Sequence, residues 1–415
     1  MRINSPVSGV IPTFLRRWLA AACVVIQAAL LFSNPAHADS MDQAKRIYDR
    51  IAGVPADAIT LADMRDDIDA SDPMAAALTA TNAAEFYGVT LKNFAAPWTN
   101  RDGSVFVPLD DYIATVIGLV RDNVDFREVL YGDVLYVGSG TGIPPYTTTS
   151  NAHYEALETQ GANLQLNLQA APQTGLNGLP ANASAGVITS RSAAQAFFRD
   201  GTNRAMFRFT LVNHLCMDME QVLDVSRVPD HIRQDVSRSP GGDSRVFLNS
   251  CIGCHSGMDP MAQALAYYDF EYDPATDPDA LIGRLNYNDV GQVDPATGTR
   301  VEAKYFNNAQ NFEHGYATPD DQWVNYWREG PNKLIGWDPS LPGSGAGAKS
   351  MGRELASSQA FAQCQVTKVF ENVCLRPPQD DADLTQIGTM TTSFQTNGYN
   401  LRRTFAEAAV YCMGN

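Results

Sequence analysis

The decapeptide CIGCHSGMDP, residues 251–260, restricts this 415-residue chain more than any other feature. Cys251, Cys254 and His255 stand three and four positions apart, the spacing that places side chains on one face of an α-helix. Whatever fold surrounds it must hold this turn helical and leave that face room for a ligand. Two thiols so placed reach one edge of a porphyrin and add across its two vinyl groups. The imidazole directly behind the second thiol is then carried beneath the ring to the iron, which is why C-x-x-C-H signals covalent haem attachment. The expected cofactor is haem c, anchored by Cys251 and Cys254, with His255 as the proximal metal ligand.

Three other chemistries use closely spaced thiols. A structural zinc site wants a second C-x-x-C or a Cys/His pair at short spacing, and none follows here. A thioredoxin-like dithiol sits after a strand in a βαβ unit, whereas the surrounding sequence reads helical. A disulfide closed within CIGC would be strained.

The N-terminus supplies the compartment in which haem attachment occurs. Arg16 and Arg17 precede the apolar run WLAAACVVIQAALLF, and Ala36, His37 and Ala38 follow as a small-residue cleavage site. This is the pattern of an export signal over residues 1–38, with the apolar run short for a bilayer span. The expected location is periplasmic or secreted, with no membrane span after cleavage. Removing Arg2, Arg16 and Arg17 takes the formal charge from −16 to −19. So acidic a surface repels nucleic acid and anionic lipid and favours a partner with a basic surface.

Seven cysteines are present, of which Cys23 leaves with the signal and two belong to the motif. The remaining four, Cys216, Cys364, Cys374 and Cys412, suit two disulfides in an oxidising compartment. In CQVTKVFENVC, Val366, Val369, Phe370 and Val373 recur at helical intervals, so Cys364 and Cys374 would lie about 15 Å apart on one helix. A disulfide needs Cα atoms within roughly 7 Å. Cys412 is therefore expected to pair with one of these two and Cys216 with the other.

Along the chain, residues from Asp39 to about Val137 read as helical. Asp110 and Asp111 stand as an acidic cap before YIATVIGLVRD, whose Ile113, Val116, Ile117 and Val120 form a core-facing stripe. Residues 138–185 turn rich in Gly, Thr, Asn, Gln and Pro, the composition of a long loop or module boundary. Helical spacing resumes at Phe207, Leu211 and Leu215 and is expected to continue after the motif through MAQALAYYDFE. PGSGAGAK at 342–349 reads as a connector, and the rest is again helical. No strong strand alternation stands out.

The run CIGCHSGMDPMAQALAYYDFE resembles the haem-attachment segment of the planctomycete-type cytochrome c-like proteins, large exported proteins built from mostly uncharacterised domains. FREVLYGDVLYVG is similar to the segment before their haem module. ELASSQAFAQCQVTKVFENVCLRPP and FQTNGYNLRRTFAEAAVYC are similar to their C-terminal helical module. The likeness spans most of residues 80–415, loosely outside these runs, and departs just after Pro260, where Ala262 and Ala266 replace a common Gly and Glu. It implies covalent haem and a mainly α fold, with a cytochrome c-like haem module embedded in a larger helical protein with long irregular loops. The implied division is a signal (1–38), an N-terminal helical module with a loop-rich linker (39–185), the haem module (186–345) and a C-terminal helical module (346–415). No substrate is implied.

The iron's sixth position separates two functions. A methionine or histidine there makes an electron carrier, and an open position permits peroxide or oxygen chemistry. Met258 and Met261 are too near His255 to reach the opposite face. Met351, read as lying on a Gly-rich loop before a helix, is the first candidate for the distal ligand; Met390, His314 and His214 follow. Trp323, Tyr326 and Trp327 suit a pocket wall or ordinary core. The expected function is single-electron transfer by an exported monohaem c-type cytochrome to a redox partner protein. The rival is a haem enzyme of peroxidase or oxygenase type, with His314 as its one acid/base hint, and a third reading is a scaffold protein with structural haem. No hydrolytic triad, phosphate loop or HExxH stands out.

Overall fold

Helix caps written into the sequence start most of the long elements of the computed structural model, which describes residues 38–199, 203–231, 249, 251–305 and 316–414. The signal segment 1–37 and His314 lie outside the described residues. Asp39 accepts from the Asp42 amide at the head of α1 (Ser40–Ala52). Asp57 caps α2 (Ala58–Asp69), and Asp72 followed by a proline at the first helical position opens α3 (Pro73–Ala80). Each satisfies an amide that the helix's first turn leaves unpaired. Asp110 caps α4 (Asp111–Arg121) through the Ile113 amide at 2.8 Å, as its position in the sequence suggested.

The fold is mainly helical, and among the described residues the strands come in three separate two-stranded antiparallel pairs. A short helix α5 (Glu128–Tyr131) leads into β1 (Leu135–Gly138). After α6 (Ala152–Thr159), β2 (Leu168–Ala171) pairs with β1, Leu135 opposite Ala171. The stretch 138–185, expected as a long loop or module boundary, therefore carries a two-turn helix, two single helical turns and a strand. Next come α7 (Arg191–Phe197), α8 (Asn203–Leu215) and the motif helix α9 (Ile252–Ala262). The helix expected through MAQALAYYDFE stops early: a 3₁₀ turn covers Gln263–Leu265, and Tyr268–Tyr272 is β3, paired with β4 (Gly283–Tyr287). Alternating burial of Tyr268 and Phe270 over the pleat, with aromatic side chains suited to strands, overrides the helical reading there. The third pair joins β5 (Gln322–Val324) to β6 (Ser344–Ala346).

Four helices close the chain: α10 (Gly347–Ala356), α11 (Gln359–Cys374), α12 (Asp381–Thr396) and α13 (Leu401–Cys412). Cys364 and Cys374 share α11, and the disulfides are Cys216–Cys364 and Cys374–Cys412, with Cα atoms 5.3 and 5.6 Å apart. The last helix returns to the first. Gln43, Arg46 and Arg50 of α1 donate to the carbonyls of Gly414, Met413 and Cys412, which the end of a helix would otherwise leave without partners. Phe405 of α13 meets Phe86 and Phe94 edge-on, at centroid distances of 5.1 and 5.3 Å. One buried apolar cluster runs from Ala44 to Ala409 and draws on all the segments past the signal that the sequence suggested as modules. Among the described residues no helix is long and apolar enough to cross a membrane.

Candidate functional site

Cys251 sits at the N-terminal cap of α9, and Cys254 and His255 follow in its first turn and a half. All three are half-buried, and both thiols are unpaired. The opposite side of the helix is sunk into the protein. Gly253 is buried against Leu223 and Val225, Ser256 and Gly257 are buried behind it, and Met258 and Asp259 are buried one turn further on. The open ground is thus confined to the turn that carries the three reactive groups.

Backbone proximity and polar clamps hold that turn in place. A Cβ on Gly257 would stand 1.9 Å from the indole nitrogen of Trp327, so only glycine lets the helix reach the Trp327 ring. Ser256 Oγ donates to the Asp224 carbonyl at 2.9 Å, the Asp224 amide donates to the Gly253 carbonyl at 3.0 Å, and Asn203 Nδ2 donates to the Ala262 carbonyl at 2.7 Å. Asn332 Nδ2 fixes the neighbouring segment through the Val222 carbonyl at 2.8 Å. Leu223 and Val225, which pack against Gly253 on the far side of the helix, are themselves 50 and 74 % exposed.

His255 has a partner that orients it. Its Nδ1 lies 3.0 Å from Oδ1 of Asp259, four residues on, so a metal bound to this ring would be bound through Nε2. The Asp259 side chain is fully buried and takes both prongs of Arg204, at 2.7 and 2.8 Å, from α8. Burial opposes ionisation of this carboxyl, but the Arg204 guanidinium and His255 outweigh it and hold it well below the usual carboxylate range. Burial pushes the Cys254 thiol up, with Glu220 and Cys251 adding to the effect. Among the described residues every strand pair is antiparallel, and the thiols stand on a helix that follows no strand of a βαβ unit. The residues present fit covalent haem.

The distal candidates lie elsewhere. Met351 is on α10 rather than on a preceding loop, because the helix already begins at Gly347, and it is fully buried in the apolar cluster. Gly352 beside it lets α10 approach the Leu130 carbonyl of α5, where a Cβ would meet that oxygen at 1.9 Å. Met390 is buried on α12. His214 is buried on α8, its Nε2 2.7 Å from the Tyr112 hydroxyl and its ring packed edge-on against Trp98; burial, then Lys368, drives its pKa well down, so it is held neutral as a core residue. Met258 and Met261 pack within α9 and around it, as expected from their spacing. Trp323 donates to Ser350 Oγ at 2.8 Å from β5, while Trp327 is fully buried against Gly257 and Phe207.

Asp259 and Arg204 were not among the candidate residues from sequence. The first had a readable signal, an acid at i+4 from the histidine on a helix. The second had none, because Arg204 lies 55 residues upstream and reaches Asp259 only through the packing of α8 on α9. No model of a known family, no curated protein and no solved structure matches this chain.

Proposed function

We propose that this chain is an exported c-type cytochrome that carries one haem, covalently held by Cys251 and Cys254 with His255 as axial ligand, and passes electrons one at a time. The observation that carries the reading is the shared open face of α9: two unpaired thiols and an oriented imidazole on one turn whose opposite side is buried. Bound there, haem would supply a one-electron iron couple. The chain's own part is to present both thiols on one open turn, to aim Nε2 of His255 through Asp259, and to hold the helix through Gly257 and Ser256. Its acidic surface would steer a redox partner with a basic face, at a rate that falls as salt is raised.

The test is chemical. Protein matured in cells with intact haem-attachment machinery should keep its colour through acid acetone, and the Cys251→Ser, Cys254→Ser double variant should lose it. Colour that washes out of the unaltered protein would end this reading. A second reading, a haem enzyme with an open distal position, draws support from the place of Met351, deep in the packing of α10 rather than on a loop. The visible spectrum separates the two. A weak long-wavelength band of methionine ligation speaks for the carrier, and a high-spin spectrum that shifts with cyanide speaks for the enzyme.

A further inference from the structure

We propose that Asp259 is a positioning residue that strengthens the electron donation of His255 to a bound iron and so biases the couple toward its oxidised state, and that Arg204 sets how strongly it does so. The inference rests on the haem reading above, and concerns what these two side chains add to it.

The arrangement links side chains of two helices through one carboxylate. His255 Nδ1 donates to Oδ1 of Asp259 at 3.0 Å, and Arg204 Nε donates to the same oxygen at 2.7 Å while its NH2 takes Oδ2 at 2.8 Å. A carboxylate accepting from the far nitrogen of a ligating imidazole pushes electron density onto the metal-facing nitrogen, and a more basic ligand favours the more highly charged iron. The Asp259 side chain is fully buried, so water does not damp the effect. Oδ1 is shared, however. Each donor competes for its lone pairs, and the rigid fork of the guanidinium has first claim because it binds both oxygens at once. Arg204 therefore restrains the pull of Asp259 on the imidazole, and the pair acts as a setting built from α8 and α9 rather than as a plain structural ion pair.

Two substitutions separate this from a charge effect through space. Asp259→Asn keeps the shape and an acceptor oxygen but removes the charge. In the matured holoprotein it should raise the ratio of reduced to oxidised protein at fixed potential about tenfold, an upward midpoint shift of about 59 mV for one electron. Arg204→Lys keeps the positive charge but replaces the two-pronged contact with a single point donor. Freed of one competitor, Asp259 should bond His255 more strongly, and the ratio should fall, by about threefold. Spectroelectrochemical titration reads both. An unmoved midpoint in Asp259→Asn, or a midpoint in Arg204→Lys that is unmoved or rises, would overturn the positioning role. If Asp259→Asn does not mature, the sign of the Arg204→Lys shift alone decides. Retention of colour in acid acetone is measured in parallel. Its loss from the unaltered protein removes the haem reading and this inference together, whereas retention with the wrong shifts removes only the inference.

Discussion

The motif helix α9 and the C-terminal helices α11–α13 are stabilised in different ways. The C-terminal group buries side chains at regular helical intervals, Val366, Val369, Phe370 and Val373 on α11, Ile387, Met390 and Phe394 on α12, Leu401 and Phe405 on α13. Its caps, Ser358, Asp380 and Asn400, are local, and the Cys374–Cys412 bridge ties its first helix to its last. The motif helix has little apolar stripe of its own. It is held by glycines that admit Trp327 and Leu223 and by hydrogen bonds to Asp224 and Asn203. Apolar burial is non-directional and needs a full face, whereas close backbone approach and directed polar clamps fasten a helix from one side and leave the other free. A helix that must present three reactive groups has to be fastened in the second way.

Breaking the C-terminal bridge should have the largest effect. In the chain-entropy description, a closed loop of 38 residues is worth about 4 kcal/mol. The Cys374→Ala, Cys412→Ala pair should therefore lower the unfolding free energy by about 2–4 kcal/mol in urea, without altering colour retention or midpoint. Equal damage to the haem site would show that the two regions do not differ as argued. On the motif side, Gly257→Ala drives a methyl group into the buried Trp327 ring. It should cost about 1–3 kcal/mol and should also lower the yield of attached haem, a coupling that the C-terminal variant lacks.

Acid–base behaviour sharpens the contrast. Burial, then the Asp269 and Asp294 carboxylates, push Glu302 up to about 7, and its amide donates to the Ala266 carbonyl just past α9 at 3.0 Å. Between about pH 4.3, where an unfolded glutamate titrates, and about pH 7, the folded chain binds the extra proton. Stability should fall as pH rises through that window, by up to about 1.4 kcal/mol per unit, and the penalty is fully present above it. Glu302→Gln, which keeps an acceptor for Asn286, should flatten this part of the stability profile. The smallest expected effect is a gain. Gly388 sits inside α12 with nothing near its missing Cβ, so Gly388→Ala should stabilise the C-terminal group by about 0.5–1 kcal/mol, read as a small rise in Tm.

Legibility followed the same division. The C-terminal helices, the Asp110 cap and the restriction of Cys364 and Cys374 to different partners could all be read, because they depend on periodicity, on capping and on rise per residue. The choice of Cys216 for Cys364 could not, since both connectivities satisfied the spacing along α11. Tyr268 and Phe270 were assigned to a helix because a short aromatic run fits both periods, and only pairing with β4 decides between them. Met351 was placed on a loop because Gly343, Gly345 and Gly347 lie just before it. The last of these, with φ of 75°, instead opens the helix that buries the sulfur.

By itself the sequence determined that Cys251, Cys254 and His255 would share one helical face, that α11 would be amphipathic, and that its two cysteines would not meet. These are consequences of 3.6 residues per turn and need no partner. What only the tertiary structure decided is which side of α9 stays open, which cation grips the carboxylate that orients His255, and that the first helix caps the last. Such features are set by Trp327, Arg204 and Gly414, each more than forty residues from the group it serves, and no local pattern encodes contacts made across that distance.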